Sequence, residues 1–98
     1  MLERHPRAAK EYRELPRPLR QRIDILESAI DRDPRAPDFV RRKEQGWGSR
    51  VMLVAAVNYQ GTAYRIAWEL RADGVPFIWM IGPHEGFYAK LARRAGRA

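Results

Sequence analysis

The apolar residues of this chain change their period near its middle, and that change limits the folds open to it. Before residue 31 they recur at helical spacing, with Ala8, Tyr12 and Leu15 at i, i+4 and i+7. Leu19, Ile23, Leu26 and Ile30 then repeat the pattern at i, i+4, i+7 and i+11. After residue 50 the spacing is that of strands. Val51 to Val57 is apolar on both faces, which suits a central strand. Tyr64, Ile66, Trp68 and Leu70 alternate with Arg65, Ala67, Glu69 and Arg71, which describes a half-buried strand. Phe77 to Ile81 is a third strand, and Phe87, Tyr88 and Leu91 mark a short helix after it.

Punctuation supports this division. Pro6 suits a first helical turn, where its missing N–H is not needed. Pro16-Arg17-Pro18 breaks the helical half into two, because a proline disfavours helical geometry in the residue before it. Asn58-Tyr59-Gln60-Gly61 and Asp73-Gly74 are turns between strands. The order helix, helix, three antiparallel strands, helix predicts an α+β fold. In it an N-terminal helical hairpin packs on one face of a small three- or four-stranded antiparallel sheet, followed by a short C-terminal helix. With 98 residues the chain has room for one domain. Its expected parts are a hairpin at about 6–31, a connector at 32–50, a sheet at about 51–82 and a C-terminal helix at about 85–95. The face carrying Arg65 and Glu69, away from Ile66 and Trp68, is expected to be open, a groove for a nucleic-acid backbone.

Composition then limits the chemistry. The absence of cysteine excludes a disulfide scaffold, a thiolate metal site and a cysteine nucleophile. No apolar run approaches a membrane span, and MLERHPRAAK does not read as a signal peptide, so a cytoplasmic protein is expected. The 19 basic residues against 12 acidic ones give a net charge of +7. Sixteen of the 19 are arginine, whose planar fork matches phosphate. This balance points to a polyanionic partner such as nucleic acid, although arginine-rich coding and solubility alone would also produce it. Thirteen of the basic residues precede Val51 and four follow Gly86.

The helical hairpin, the strand Ala63-Tyr64-Arg65-Ile66-Ala67-Trp68 and the closing stretch Ile81-Gly82-Pro83-His84-Glu85-Gly86-Phe87-Tyr88 resemble the RelE/ParE superfamily of toxins from type II toxin–antitoxin systems. The resemblance spans roughly residues 8–92. It implies one of two activities. RelE-like members are metal-independent endoribonucleases that cut messenger RNA on the ribosome, whereas ParE-like members inhibit DNA gyrase by binding it. The resemblance assigns Arg65 to the scissile phosphate, His84 to general acid or base catalysis, and Tyr88 to base stacking or proton transfer. Histidine suits such work because its ordinary pKa lies near 6.5. It implies no cofactor and no metal, and its partners would be a cognate antitoxin and mRNA on the ribosome, or gyrase, with no membrane.

Other basic residues are candidates for nucleic-acid binding: Arg41, Arg42, Lys43, Arg50, Arg93 and Arg94. Each has a plainer alternative. Arg65 could pair with Glu69 or another carboxylate, His84 could be a turn residue, Tyr88 a core anchor, and Arg41 to Lys43 a solvated loop. Trp47 reads as a packing cap, and His5 is expected to have no role. Three departures from the family pattern are visible. The N-terminal strand is missing or rudimentary, the strand Val51 to Val57 carries no lysine, and the loop Asn58 to Thr62 is slightly longer than usual. A basic nucleic-acid-binding module without catalysis is a third possibility, but no helix-turn-helix or zinc-ligand spacing supports it.

Overall fold

The computed structural model describes residues 1–35 and 41–97. Eight elements follow one another: β1 (Glu3–Arg4), α1 (Pro6–Arg13), α2 (Arg17–Arg32), β2 (Arg41–Lys43), β3 (Val51–Tyr59), β4 (Thr62–Leu70), β5 (Pro76–Pro83) and α3 (Phe87–Ala95). The strands form one sheet in the order β1-β5-β4-β3-β2. The α+β class, the N-terminal helices and the short closing helix are as the apolar periods predict. The sheet, however, is mixed and not purely antiparallel, because β1 pairs parallel with β5. Part of the expected connector is a strand, since Arg41 to Lys43 pairs antiparallel with Ala55 to Leu53. Two- and three-residue edge strands are too short to show any apolar alternation, which is why neither stands out in the sequence.

Helix α1 begins at Pro6, whose fixed φ suits a first turn. His5 has a role after all, because its Nδ1 accepts the Arg7 amide at 3.0 Å and caps the helix. Strands β3 and β4 pair without interruption from Val51↔Leu70 to Tyr59↔Thr62. The turn between them is therefore only Gln60-Gly61, shorter than the sequence implies. Both turn residues have positive φ, at 49° and 79°. This is the geometry whose twist matches paired strands, and glycine adopts it without steric cost. Between β4 and β5 the register slips at Ala67/Trp68, leaving Trp79 as an extra residue in β5. Such a bulge bends its strand and re-aims side chains.

Alternation along β3 and β4 divides the core in two. Leu53, Ala55, Ile66 and Trp68 meet Ala8, Leu19, Ile23 and Ile30 of the helical hairpin, together with Ile78 and Ile81. Met52, Val54, Ala67 and Met80 meet Phe87, Leu91 and Ala95 of α3, with Trp47 closing the cluster. Strand β3 is thus buried on both sides, which explains its continuous apolar run. The second cluster corrects the expectation of an open face opposite the hairpin. Helix α3 has its own apolar stripe at i, i+4 and i+8, and that stripe has to be buried somewhere. It covers the part of the sheet nearest β3's start and leaves uncovered the part nearest the Gln60-Gly61 turn.

Candidate functional site

The uncovered part of that face is built by three strands. Along β4, Arg65 lies two residues from Ala67 and so shares its face, one step beyond the apolar cluster under α3. Its register partners are Ala56 on β3 and Gly82 on β5. Both leave room. Ala56 is exposed and offers only a methyl group, and a Cβ added at Gly82 would meet nothing nearer than Met80 Cε at 3.9 Å. The half-buried Arg65 side chain sits between them, and no hydrogen bond or ion pair joins it to any described residue. The alternative partner considered for it, Glu69, is already taken.

Strand β5 ends on the same side. The His84 amide donates to the Ala63 carbonyl at 2.8 Å, holding the residue in line with β4 just past Pro83. The His84 carbonyl then accepts the Phe87 amide at 3.1 Å, a tight turn into α3. Gly86 is the residue before the helix, and its φ of +68° is one that glycine adopts at least cost. This reversal brings Tyr88 back onto His84. The rings lie edge to face with centroids 6.0 Å apart, and Tyr88 also stands edge-on to Phe87 at 5.5 Å. His84 is exposed and Tyr88 half-buried. Tyr88 therefore has one edge against the α3 cluster and another towards His84. Helix α3 has no side-chain cap and no acid in its first turn, and Glu85 directly precedes its N-cap Gly86.

The other basic candidates separate into used and free cations. The Arg50 guanidinium grips Glu69 through Nε and NH2 at 3.1 and 2.9 Å, and its NH1 donates to the Ala95 carbonyl at 2.7 Å. It also lies over the Trp47 and Trp79 rings, 5.0 and 5.8 Å from their centroids. Arg94 forks onto both Glu11 oxygens at 2.9 and 2.8 Å and donates to the Trp79 carbonyl at 2.9 Å. These two arginines fasten α3 to the rest of the fold, so their expected nucleic-acid contacts are displaced by internal ones. A tertiary carboxylate decides this, and no local pattern announces it. Arg93 and Lys43 are exposed. The Arg41 and Arg42 side chains lie outside what the structure describes, although their backbone forms β2. Arg97 donates from Nε to the Gly46 carbonyl at 3.0 Å.

Two titrations are shifted near this framework. The Glu69 carboxyl is held below the usual glutamate range, chiefly by the Arg50 hydrogen bond, with help from the Trp79 indole and against the effect of burial. His5 is lowered by burial first and then by the charges of Arg94 and Arg7. Among the described residues no group of three or more His, Cys, Asp and Glu side chains could hold a metal ion, and no helix is long and apolar enough to cross a membrane.

No protein-family model matches the chain, and no curated protein matches its sequence. Solved structures do. The E. coli toxin RelE in the free state, carrying two arginine-to-alanine substitutions, matches with a TM-score of 0.69 over 98% of this chain and 93% of its own. The isolated E. coli RelE toxin matches with a TM-score of 0.64 over 97% of each chain. The fold is that of RelE. At 18% and 19% identity the likeness is one of architecture. What this chain's own residues add to the RelE fold is the arrangement of Arg65, His84 and Tyr88 at the uncovered end of the sheet.

Proposed function

We propose that this protein is the toxin of a type II toxin–antitoxin system and acts as a metal-independent endoribonuclease on ribosome-bound mRNA. The supporting observation is the partnerless Arg65 beside the His84–Tyr88 pair, on a sheet face kept open by Ala56 and Gly82. Cleavage of RNA without a metal needs a group to take the 2′-OH proton and a group to protonate the leaving 5′-oxygen. It also needs a cation where charge gathers on phosphorus. Arg65 supplies the cation, held ready because no carboxylate competes for it. His84 is the proton-transfer group, exposed to an incoming strand. Tyr88 stacks on a base or shares the proton transfer, its ring fixed by Phe87. The RelE fold, found in proteins named as toxins, supports the biological role.

The test is cleavage of mRNA on programmed ribosomes in the presence of a chelator. The wild-type protein is expected to cut, and Arg65→Ala or His84→Ala to cut at least about 100-fold more slowly, the scale of losing one catalytic group. Unchanged rates in both variants would remove the site assignment. Inhibition of gyrase supercoiling by a preparation that cuts no RNA would replace this reading with the ParE-like one.

A further inference from the structure

Helix α3 carries a second feature that the site does not use. Opposite its buried Phe87, Leu91 and Ala95 it presents Lys90 and Arg93, three residues apart and so on one face. Arg7, at the start of α1, faces them. Together with Arg94 these residues line a cleft of about 480 Å³ between the two helices. Arg94 forms part of its wall and is neutralised by Glu11. Arg7, Lys90 and Arg93 are exposed, and none of the three side chains has a hydrogen bond or ion pair to a described residue. Lys90 also lines the neighbouring groove along β5, which reaches Gly82 and Pro83 beside Arg65 and His84 and whose wall includes Glu14 and Glu11, the latter neutralised by Arg94.

We infer that this cleft is a track for the phosphodiester backbone of the RNA strand whose cleavage is proposed above, so the inference rests on that reading and extends it. The lining chooses the partner. A protein ligand gains most of its affinity by burying apolar or aromatic anchors, and the cleft is lined by four cationic side chains with no apolar residue among them. A nucleic-acid backbone needs only cations at suitable intervals. From Tyr88 to Arg93 is five residues, or about 7 Å of helix at ~1.5 Å per residue. Consecutive phosphates of an extended single strand lie farther apart than the ~3.4 Å axial rise of a duplex strand, so this length is about one phosphate step. Lys90 borders both the groove and the cleft, and with Arg93 it offers a strand held by Arg65 successive cations along α3, past Glu11 and Glu14 of the groove wall.

The experiment measures binding of a short single-stranded RNA with 2′-O-methyl riboses, which cannot be cut through a 2′-OH, to the full chain over a range of salt. Ribosomal cleavage is assayed with the same preparations. In the variant Arg7→Gln/Lys90→Gln/Arg93→Gln, affinity at low salt is expected to fall at least tenfold. The slope of log affinity against log salt is expected to flatten by about 2, from about 0.7 for each lost phosphate contact. Lys90→Gln alone, at an exposed side chain without a partner, should give about a third of that flattening. It keeps the test decisive if the triple variant is poorly folded. Arg65→Ala should keep most of the slope while losing cleavage. A wild-type slope in both glutamine variants overturns the track, as does an effect seen only on ribosomes and never with the free strand. So does unchanged RNA binding accompanied by lost affinity for an acidic peptide. If the wild type binds RNA with this charge dependence yet cuts nothing, the track stands and the nuclease reading falls.

Discussion

Sixteen arginines look alike in the sequence, yet the fold gives them different work. Arg4 grips Glu27, which is only 7% exposed, and lies 4.1 Å over the Tyr12 ring centroid. Arg50 grips Glu69 and Arg94 grips Glu11, while Arg65 grips nothing among the described residues. A side chain that stabilises the fold has its donors filled, whereas one kept for a ligand leaves them open at little structural cost. The two kinds are separable by experiment. Arg65→Ala should leave stability within about 0.5 kcal/mol of wild type, as surface substitutions without such partners do. Arg50→Ala leaves Glu69 with the Trp79 indole as its remaining close donor, and leaves the Ala95 carbonyl unpaired. It should cost about 2–3 kcal/mol, the scale of stranding partly buried polar groups. Urea unfolding of the two variants distinguishes them, and equal losses would contradict the division of roles.

At the scale of elements, the long periodic segments were legible and the short or tertiary ones were not. Both hairpin helices, the three long strands and the closing helix follow from apolar spacing, because each buries a face of many residues. Strands β1 and β2 lack that length, and the bulge at Trp79 has no sequence signature. Helix α3 covers part of the face expected to be open, and the spacing of one short apolar stripe does not specify which surface receives it. The family resemblance points to Arg65, His84 and Tyr88, while their nearness depends on the β4–β5 register, which no local pattern encodes. The open edge of β5 shows how the elements lock together. Beyond the short β1, Glu11 accepts the Ile81 amide at 3.1 Å and Arg94 donates to the Trp79 carbonyl. One ion pair thus fills the edge positions a longer strand would occupy, which protects the edge from adventitious pairing. Glu11→Ala removes the acceptor for Ile81 and strands Arg94, whose side chain is 12% exposed. The expected cost is about 2–3 kcal/mol, with the Ile81 amide exchanging faster by hydrogen exchange. Glu11→Gln should retain the Ile81 protection better, and unaltered exchange in Glu11→Ala would show that the edge is protected by other means.

For the molecule as a whole, three partly buried arginine–carboxylate grips act as long-range fasteners among the described residues, beside the more exposed Arg71–Glu3 pair, in a chain without cysteine. Arg4–Glu27 ties β1 to α2, Arg50–Glu69 ties the segment before β3 to β4 and the end of α3, and Arg94–Glu11 ties α3 to α1. Each grip neutralises one charge of either sign, so the +7 excess is unchanged and falls on the cations that no internal carboxylate holds. The Arg50–Glu69 grip makes stability depend on pH through its carboxylate. Glu69 shows the sign. Its folded carboxyl titrates below the ordinary 4.5, so folding favours the ionised form. Its contribution is fully present above 4.5 and is lost as pH falls through the lowered folded value. Glu69→Gln, which cannot ionise, should melt lower than wild type at pH 7. The difference between the two melting temperatures should then shrink steadily below about pH 4.5, as wild-type Glu69 gains its proton and Arg50 loses its charged partner. A difference that stays constant from neutral pH into strong acid would mean that the Arg50–Glu69 contact holds the fold by shape alone and that stability is not linked to the Glu69 proton.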